Sequence, residues 1–425
     1  MNRIIAILII STIISCKKEI NQMPVISMEQ PIENLHILAV DSFLVKGRVT
    51  DDNEIKSIRI SIVNSNLIPV SQTYSFSPLS KTTSFNFWFE LNEIKLESGT
   101  YYLLVSASDE LEKTNNYTKL LINEINKELT GVWTVSKSGL SSYIKKYFNE
   151  TGENFLTVSD ACKDISFNSF SSQLHILTES GNLQSIDISN KELVWEKSNL
   201  HNYVFPYYGN LATNSNITFV STNIGDIYGY NEYGTTVKSS SITDNSNRPG
   251  KFFFHRQYLI VQEIALGSIP QKIELFFSES GQSMQYHSMV DLEIIDFSSY
   301  DENRILIWGN TSSKMKVCTL NISLQHLDDI SGFPEEKVKS VAMVSETKHF
   351  FLCNNAIYSY SPLSFSISVF KSGITAEFIK YEPLTNKLYV VGLDAINIYD
   401  INSGIQISSI ILDNPIIDLE FSYNK

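Results

Sequence analysis

Leu174-His175-Ile176-Leu177, Thr178-Glu179-Ser180-Gly181, Asn182-Leu183-Gln184-Ser185-Ile186-Asp187-Ile188: an apolar run, a turn ending on Gly, then an alternating strand. The run is too short for a helix and is bounded by turn residues, so it reads as a buried strand, and the whole stretch as the inner hairpin of a sheet. The same phrase begins again at Val132 (VWTV), Ile217 (ITFV), Leu259 (LIVQ), Ile305 (ILIW), Phe350 (FFLC) and Leu388 (LYVV), in steps of 42, 43, 42, 46, 45 and 38 residues. Each phrase leads through a turn to another alternating strand, as in Asp226-Ile227-Tyr228-Gly229-Tyr230 and Ala356-Ile357-Tyr358-Ser359-Tyr360. Short strands repeating at this period are the signature of a β-propeller with one four-stranded blade per repeat. Residues 127–425 are therefore expected to form a seven-bladed propeller.

The ends of this region predict how it closes. No convincing strand precedes the phrase at Val132, and nothing follows Ile416-Ile417-Asp418-Leu419-Glu420-Phe421-Ser422. That last segment resembles Asp164-Ile165-Ser166-Phe167 and Val290-Asp291-Leu292-Glu293-Ile294, which precede later phrases. The C-terminal strand should complete the first blade, with Ile417, Leu419 and Phe421 buried, and so remove two exposed sheet edges.

Composition fits an all-β chain. Of 425 residues 43% are hydrophobic, with 24 Phe and 21 Tyr, and long helical patterns are scarce. The net charge of −13, without a basic block, sets the chain against nucleic acid as a partner.

Residues 1–15 have the form of a signal peptide: Arg3, then an apolar run from Ile4 to Ile14 too short to cross a bilayer. The run ends Ile13-Ile14-Ser15-Cys16. This resembles the lipobox of bacterial lipoproteins, which implies acylation of Cys16, a lipidated tether over 16–23 and membrane attachment through the lipid alone. No Asp follows Cys16; Lys17-Lys18-Glu19 is a weak likeness to the export signals of Bacteroidetes-type surface lipoproteins. The resemblance implies the outer membrane and leaves its periplasmic and outward faces as alternatives. Of the remaining cysteines, an odd number, Cys318 and Cys353 lie in apolar strand patterns and read as buried free thiols.

Residues 24–126 read as one β-sandwich of about seven strands, among them Phe43 to Thr50, a turn at Asp51-Asp52-Asn53, Ile55 to Ile62, Phe85 to Leu91, Gly99 to Asp109 and Tyr117 to Ile122. Gly47-Arg48-Val49-Thr50-Asp51-Asp52-Asn53-Glu54-Ile55 and Gly99 to Asp109 resemble the corner and strand of the Ig-like repeats of bacterial surface proteins, with Glu54 where the family has Gly. Some cadherin-like relatives hold Ca²⁺ on such turns. Asp51, Asp52 and Asp109 are too few for the six to eight oxygens Ca²⁺ takes, so they read as solvated turn carboxylates and no metal is assigned.

Ser185 to Trp195 resembles the blade motif of quinoprotein-like (YVTN-like) propellers, and Ile398 to Gly404 is a partial copy without the Trp. The resemblance implies that Asp187 braces a turn and that Trp195 docks between blades. It does not extend to an acidic Ca²⁺ cluster or a quinone site, so no cofactor is assigned.

Motifs for chemistry are sparse. The seven His show no metal-ligand spacing, and nucleophile elbows and phosphate loops are absent. Asp328-Asp329 and Glu335-Glu336 read as solvated loop charges. The most aromatic loop is Asn202-Tyr203-Val204-Phe205-Pro206-Tyr207-Tyr208. Tyr203, Phe205, Tyr207 and Tyr208 are the candidate contacts for a protein or glycan, with packing between blades as the other reading. The expectation is a lipid-anchored binding protein rather than an enzyme; the alternative is a glycan lyase or degenerate quinoprotein on the same scaffold.

Overall fold

The computed structural model describes residues 21–198, 207–244, 246–265 and 271–425, with backbone only for 285–289. It is all-β, and contacts divide the chain into Met1–Asn126 and Lys127–Lys425.

The first unit pairs a three-stranded sheet (Val25–Gln30, Ser42–Ile55, Ser80–Glu90) with a five-stranded one (Leu35–Leu38, Lys113–Asn123, Gly99–Ser108, Ser57–Val63, Tyr74–Phe76). Alternate residues turn inward from both: Phe43, Val45, Phe85 and Phe89 meet Ile58, Ile60, Leu103, Val105 and Leu120 in one core. The expected turn at Asp51-Asp52-Asn53 lies instead within one long strand. Pairing jumps from Thr50↔Thr82 to Ile55↔Ser80, so the acidic run swells outward as a bulge and the strand continues.

The described residues of the second unit form seven four-stranded antiparallel sheets. Their innermost strands are, in order, Ile416–Tyr423, Cys162–Asn168, Tyr208–Asn214, Asn247–His255, Glu293–Ser299, Ser340–Ser345 and Phe378–Glu382. Each repeated phrase lies in the strand beside these, so the quoted hairpin fills the two middle positions of its sheet. This is a β-propeller architecture.

The apolar phrases follow from the packing. Each sheet is covered on both faces, so its second strand buries consecutive residues rather than alternate ones. Ile305 and Ile307 face the fourth sheet, with Ile260 and Leu275, while Leu306 and Trp308 face the sixth, with Phe351 and Tyr360. Phe350 and Leu352 turn the other way, toward Leu388 and Val390 of the seventh. A last core joins the seventh sheet to the first, placing Tyr389, Val391 and Ile398 against Val132, Tyr147 and Leu419.

The C-terminal strand pairs with Leu129–Ser138 as the sequence predicts, Leu419 opposite Thr134 and Phe421 opposite Val132. Trp133 Nε1 donates to Ser422 Oγ at 2.8 Å, and Phe421 meets Tyr389 at 5.0 Å. Leu419 is fully buried, but Ile417 is 41% exposed, because it is the extra residue in a bulge between Ile416 and Asp418. The fifth innermost strand also starts later than the sequence suggests. Val290 ends the preceding outer strand, and the inner strand runs Glu293–Ser299.

Outer hairpins share a turn. Asp187 Oδ1 accepts from Ser189 N and Asn190 N; Asp400 Oδ1 accepts from Asn402 N and Ser403 N. The fifth residue of each turn is left-handed: Gly404 in one, but Lys191, Gln325 and Phe365 elsewhere.

Two outcomes are expected. Deleting 416–425 removes Ile416 and Leu419 from the core, about 1.5–3 kcal/mol each, and leaves the first and seventh sheets unsealed. Against a domain stability of about 5–15 kcal/mol the truncated chain should aggregate or lose its cooperative melt, and a wild-type melting curve would refute the seal. Phe365→Gly should raise the urea midpoint modestly. A left-handed non-Gly residue costs about 1–2 kcal/mol, Gly returns about 0.5–1 as unfolded-state entropy, and the Phe365 ring is 65% exposed.

Candidate functional site

The innermost strands converge on a central channel, and they are irregular in a common way. Register shifts fall at Ile416/Asp418, Cys162/Asp164, Tyr208/Leu211, Pro249/Phe252 and Ile294/Asp296. Bulges bend a strand and re-aim its side chains. In three sheets the residue after the shift is an aspartate: Asp164, Asp296 and Asp418. With Asn210, Lys251, Lys380 and Glu420, Asp164 and Asp296 line a cavity of about 420 Å³.

Two aspartates also brace neighbouring sheets. Asp418 Oδ2 accepts from Ile165 N of the second sheet, and Asp164 Oδ2 from Leu211 N of the third, both at 3.2 Å. Lys380, from the regular strand of the seventh sheet, donates to Asp418 Oδ1 at 3.0 Å and Glu420 Oε1 at 2.5 Å, tying that sheet to the first. Among the described residues Asp296 accepts from its own following amide, Phe297 N, at 2.8 Å.

Electrostatics follow from the enclosure. Burial, and then the charge of Asp418, push Asp164 well above the usual carboxylate range. Burial likewise raises Asp296, with Lys251 opposing, and raises Glu420, with Lys380 opposing. Burial works against the Lys380 charge, but Asp418 and Glu420 outweigh it and hold the ammonium above its ordinary value. Lys380 and Glu420 each keep 30% of their side-chain surface, so the channel is narrow and wet rather than dry.

Three buried histidines lie elsewhere. His175 is buried with Nε2 2.7 Å from Thr218 Oγ1, and burial pushes its pKa down to about 3. His255 sits against Ser299 Oγ and Glu302 O; His349 meets Ser299 O and is pushed down to about 4, again by burial. All three hold blades together as neutral rings. Cys162, Cys318 and Cys353 are free and buried, and burial raises each thiol.

Cys16, Tyr203 and Phe205 lie outside the described residues. Tyr208 is buried, packed among Leu177, Leu183, Trp195 and Val220, with its hydroxyl 3.4 Å from Tyr230. Its ring is spent on joining the second and third sheets and offers no contact surface. Tyr207 is half-buried against it at 4.8 Å between ring centroids. Trp195 also docks between blades. Its Nε1 donates to Glu232 O, and its ring lies where a Cβ on Gly234 would sit, 2.7 Å away; Gly234 has φ +73°.

In the sandwich, Asp109 is buried rather than solvated. It caps its own turn through Leu111 N and Glu112 N, takes Asn21 Nδ2, and is held below the usual carboxylate range by the Glu112 amide above all. Among the described residues no cluster of three or more His, Cys, Asp or Glu is arranged to hold a metal ion. Asp328 and Glu335 are surface charges paired with His326 and Lys314.

The channel set escaped sequence reasoning because its members come from separate repeats. One signal was present: Asp164-Ile165-Ser166, Asp296-Phe297-Ser298 and Asp418-Leu419-Glu420 repeat an aspartate before a buried apolar residue.

No protein-family model matches the chain, and no curated protein does. Among solved structures, it is similar to Saccharomyces cerevisiae Sqt1 (11% identity, 69% of this chain and 89% of that one, TM-score 0.48). It is also similar to the WD40 domain of Neurospora crassa Pan2 (11%, 57% and 76%, TM-score 0.46) and to apo AztD from Citrobacter koseri (9%, 69% and 98%, TM-score 0.44). These likenesses concern fold alone.

Lys380→Met should destabilise the second unit by about 2–4 kcal/mol at pH 7, since it leaves two enclosed carboxylates facing each other. Burial already raises Glu420 and Lys380 opposes this; without that opposition its folded pKa lies further above the unfolded one, so the folded state binds more protons as pH falls. The difference from wild type should therefore shrink between pH 7 and pH 4. Equal melting at pH 7 would show that the triad seals nothing.

Proposed function

We propose that this chain is a membrane-anchored extracytoplasmic binding lipoprotein, in which an Ig-like domain carries a seven-bladed propeller that presents its channel mouth to a protein or glycan. The observation that carries this reading is the cavity of about 420 Å³ walled by charged groups that hydrogen bonds hold in place. Rigid, concave, polar-lined sites recognise ligands without reorganising. The seven-blade count is supported by a core between every successive pair of sheets and between last and first. The lipid anchor rests on Ile13-Ile14-Ser15-Cys16, and attachment to the outer membrane follows from it as part of the proposal.

A second reading, an enzyme on the same scaffold, rests on Asp164. A carboxyl whose pKa is raised by burial and by a neighbouring carboxylate, on the wall of a cavity, has the form of a general acid.

Cys16→Ala should leave an unprocessed or soluble protein. Retention in the membrane fraction would end the anchor. Wild-type protein screened against envelope polysaccharides and proteins should capture a ligand without consuming it, and Asp296→Asn should weaken capture at least tenfold with its melting temperature unchanged. Turnover abolished by Asp164→Asn would replace the binder with the enzyme.

A further inference from the structure

At two junctions between sheets, the outer strand of one sheet sends an aromatic ring against the outer turn of the next. Between the second and third sheets the ring is Trp195, whose indole nitrogen donates to Glu232 O at 3.2 Å and whose ring presses on Gly234. Between the sixth and seventh it is Phe370, 4.6 Å from Phe350 between ring centroids and 3.6 Å from where a Cβ on Gly404 would sit. Gly234 and Gly404 are both left-handed, and neither has a Cβ to push the ring away.

The junction between the seventh and first sheets follows the same plan, but its outer strand, Gln406–Ile411, carries no aromatic residue. Ser408 stands eight residues after Asp400, as Trp195 stands eight after Asp187, and both aspartates brace the same turn. The register agrees. His175, Ser185 and Trp195 form one row across the second sheet, and Tyr389, Ile398 and Ser408 form that row across the seventh. In both sheets a pairing shift adjoins the row, at Ser185/Ile186 and at Ile398/Tyr399. The outer turn of the first sheet is Asn149-Glu150, left-handed at both residues. Where the plan calls for a ring there is a cavity of about 470 Å³, lined by the row from Tyr389 to Ser408, by Tyr147 and by the Asn149-Glu150 turn. Burial pushes the Tyr389 hydroxyl up to about 12 and raises Tyr147 as well, so both meet the cavity as neutral phenols.

We propose that this cavity binds a small planar aromatic molecule of the indole class, seated at the place that Trp195 fills in the second blade. Its ring would lie against Tyr389 as Trp195 lies against His175, at 5.5 Å between centroids. An apolar cavity of about 150 Å³ takes one benzene ring, so this one has room for a two-ring aromatic with a short substituent. Glu150 and Lys387 in the lining offer both signs of charge to that substituent. A side chain from a protein partner would leave part of the space empty, and packed interfaces leave few such voids, which sets a free molecule ahead of a docked peptide. The site shares no lining residue with the central channel and is independent of the ligand proposed there.

The test uses the purified full chain with indole as the probe and cyclohexanol as an aliphatic control. Equilibrium dialysis should show saturable uptake of indole, at least tenfold tighter than that of cyclohexanol, and the melting temperature should rise as the site fills. Ser408→Trp supplies the side chain of the second blade; it should melt no lower than the natural chain and weaken indole binding at least tenfold. Ser408→Phe, a smaller filling, takes its place if the tryptophan variant does not fold. Hydrogen exchange on the natural chain locates the ligand without any variant: indole should slow exchange at Asn149 to Thr151 and at Leu384 to Lys387. Uptake that rises linearly with indole, that persists in a folded Ser408→Trp chain, or that protects only other segments would overturn the site. A tryptophan-containing peptide that binds where free indole does not would put a docked partner in place of the small molecule and overturn the proposal as well.

Discussion

Every sheet of the second unit has two apolar faces, and this one constraint organises the rest. A sheet buried on one side alternates apolar and polar residues along its strands; here the second strands are apolar at successive positions. Leu306 and Trp308 are fully buried on one face of their strand while Ile305 and Ile307 are fully buried on the other. No sheet can therefore stand at the end of a row without leaving a face in water. The seventh must find the first, and the C-terminal strand fixes where they meet by completing the first sheet from the far end of the chain. Ionic contacts reinforce the same seam, with Lys380 held between Asp418 and Glu420.

Closure creates the channel, and the channel creates its own electrostatic problem. The innermost strands pack around an axis, so their side chains crowd into a narrow space that carries both signs of charge. The protein resolves most of this locally. Asp418 and Asp164 spend one oxygen each on the backbone of the next sheet, and Lys380 balances two carboxylates at once. Asp296, Lys251 and Lys163 are not absorbed in this way. A purely architectural channel would be expected to satisfy all its charges. Among the described residues none of these three makes an ion pair, and all lie on one side, between the second and fifth sheets.

How much of this was readable beforehand depended on periodicity. The second strands were legible because two-sided burial writes four apolar residues in a row, and repetition at a near-constant spacing confirmed each from the others. The turn at Asp187 was legible because its hydrogen bonds are local, and Asp400 repeats them. The innermost strands were harder. Their bulges break the two-residue alternation, which is why Val290 to Ile294 looked like a strand that begins three residues later, and why Ile417 looked buried. The acidic run at Asp51 looked like a turn for a similar reason, since a bulge and a turn draw on the same polar residues.

The aromatic loop shows the limit of composition as a guide to surface. Tyr207 and Tyr208 are adjacent in sequence, yet only Tyr208 enters the strand, so the chain uses that ring as cement and leaves the other, packed against it, partly open. Tyr208 closes a core between sheets, and Tyr207 retains part of its surface. The charged channel had the opposite fault: Asp164, Lys251, Asp296 and Lys380 belong to different repeats and form no local pattern. What unites Asp164, Lys251 and Asp296 is a shared place in the blade, after or within the irregularity of an inner strand, while Lys380 reaches the same level from a regular one. In a repeat fold, then, a site is better sought by aligning the repeats and asking where several depart from their apolar rule at one level. Three aspartates at equivalent positions, one braced by Lys380, one raised by its neighbour and one, Asp296, bonded to its own following amide, are such a departure, and their differing partners separate the members that tie sheets together from the one that does not.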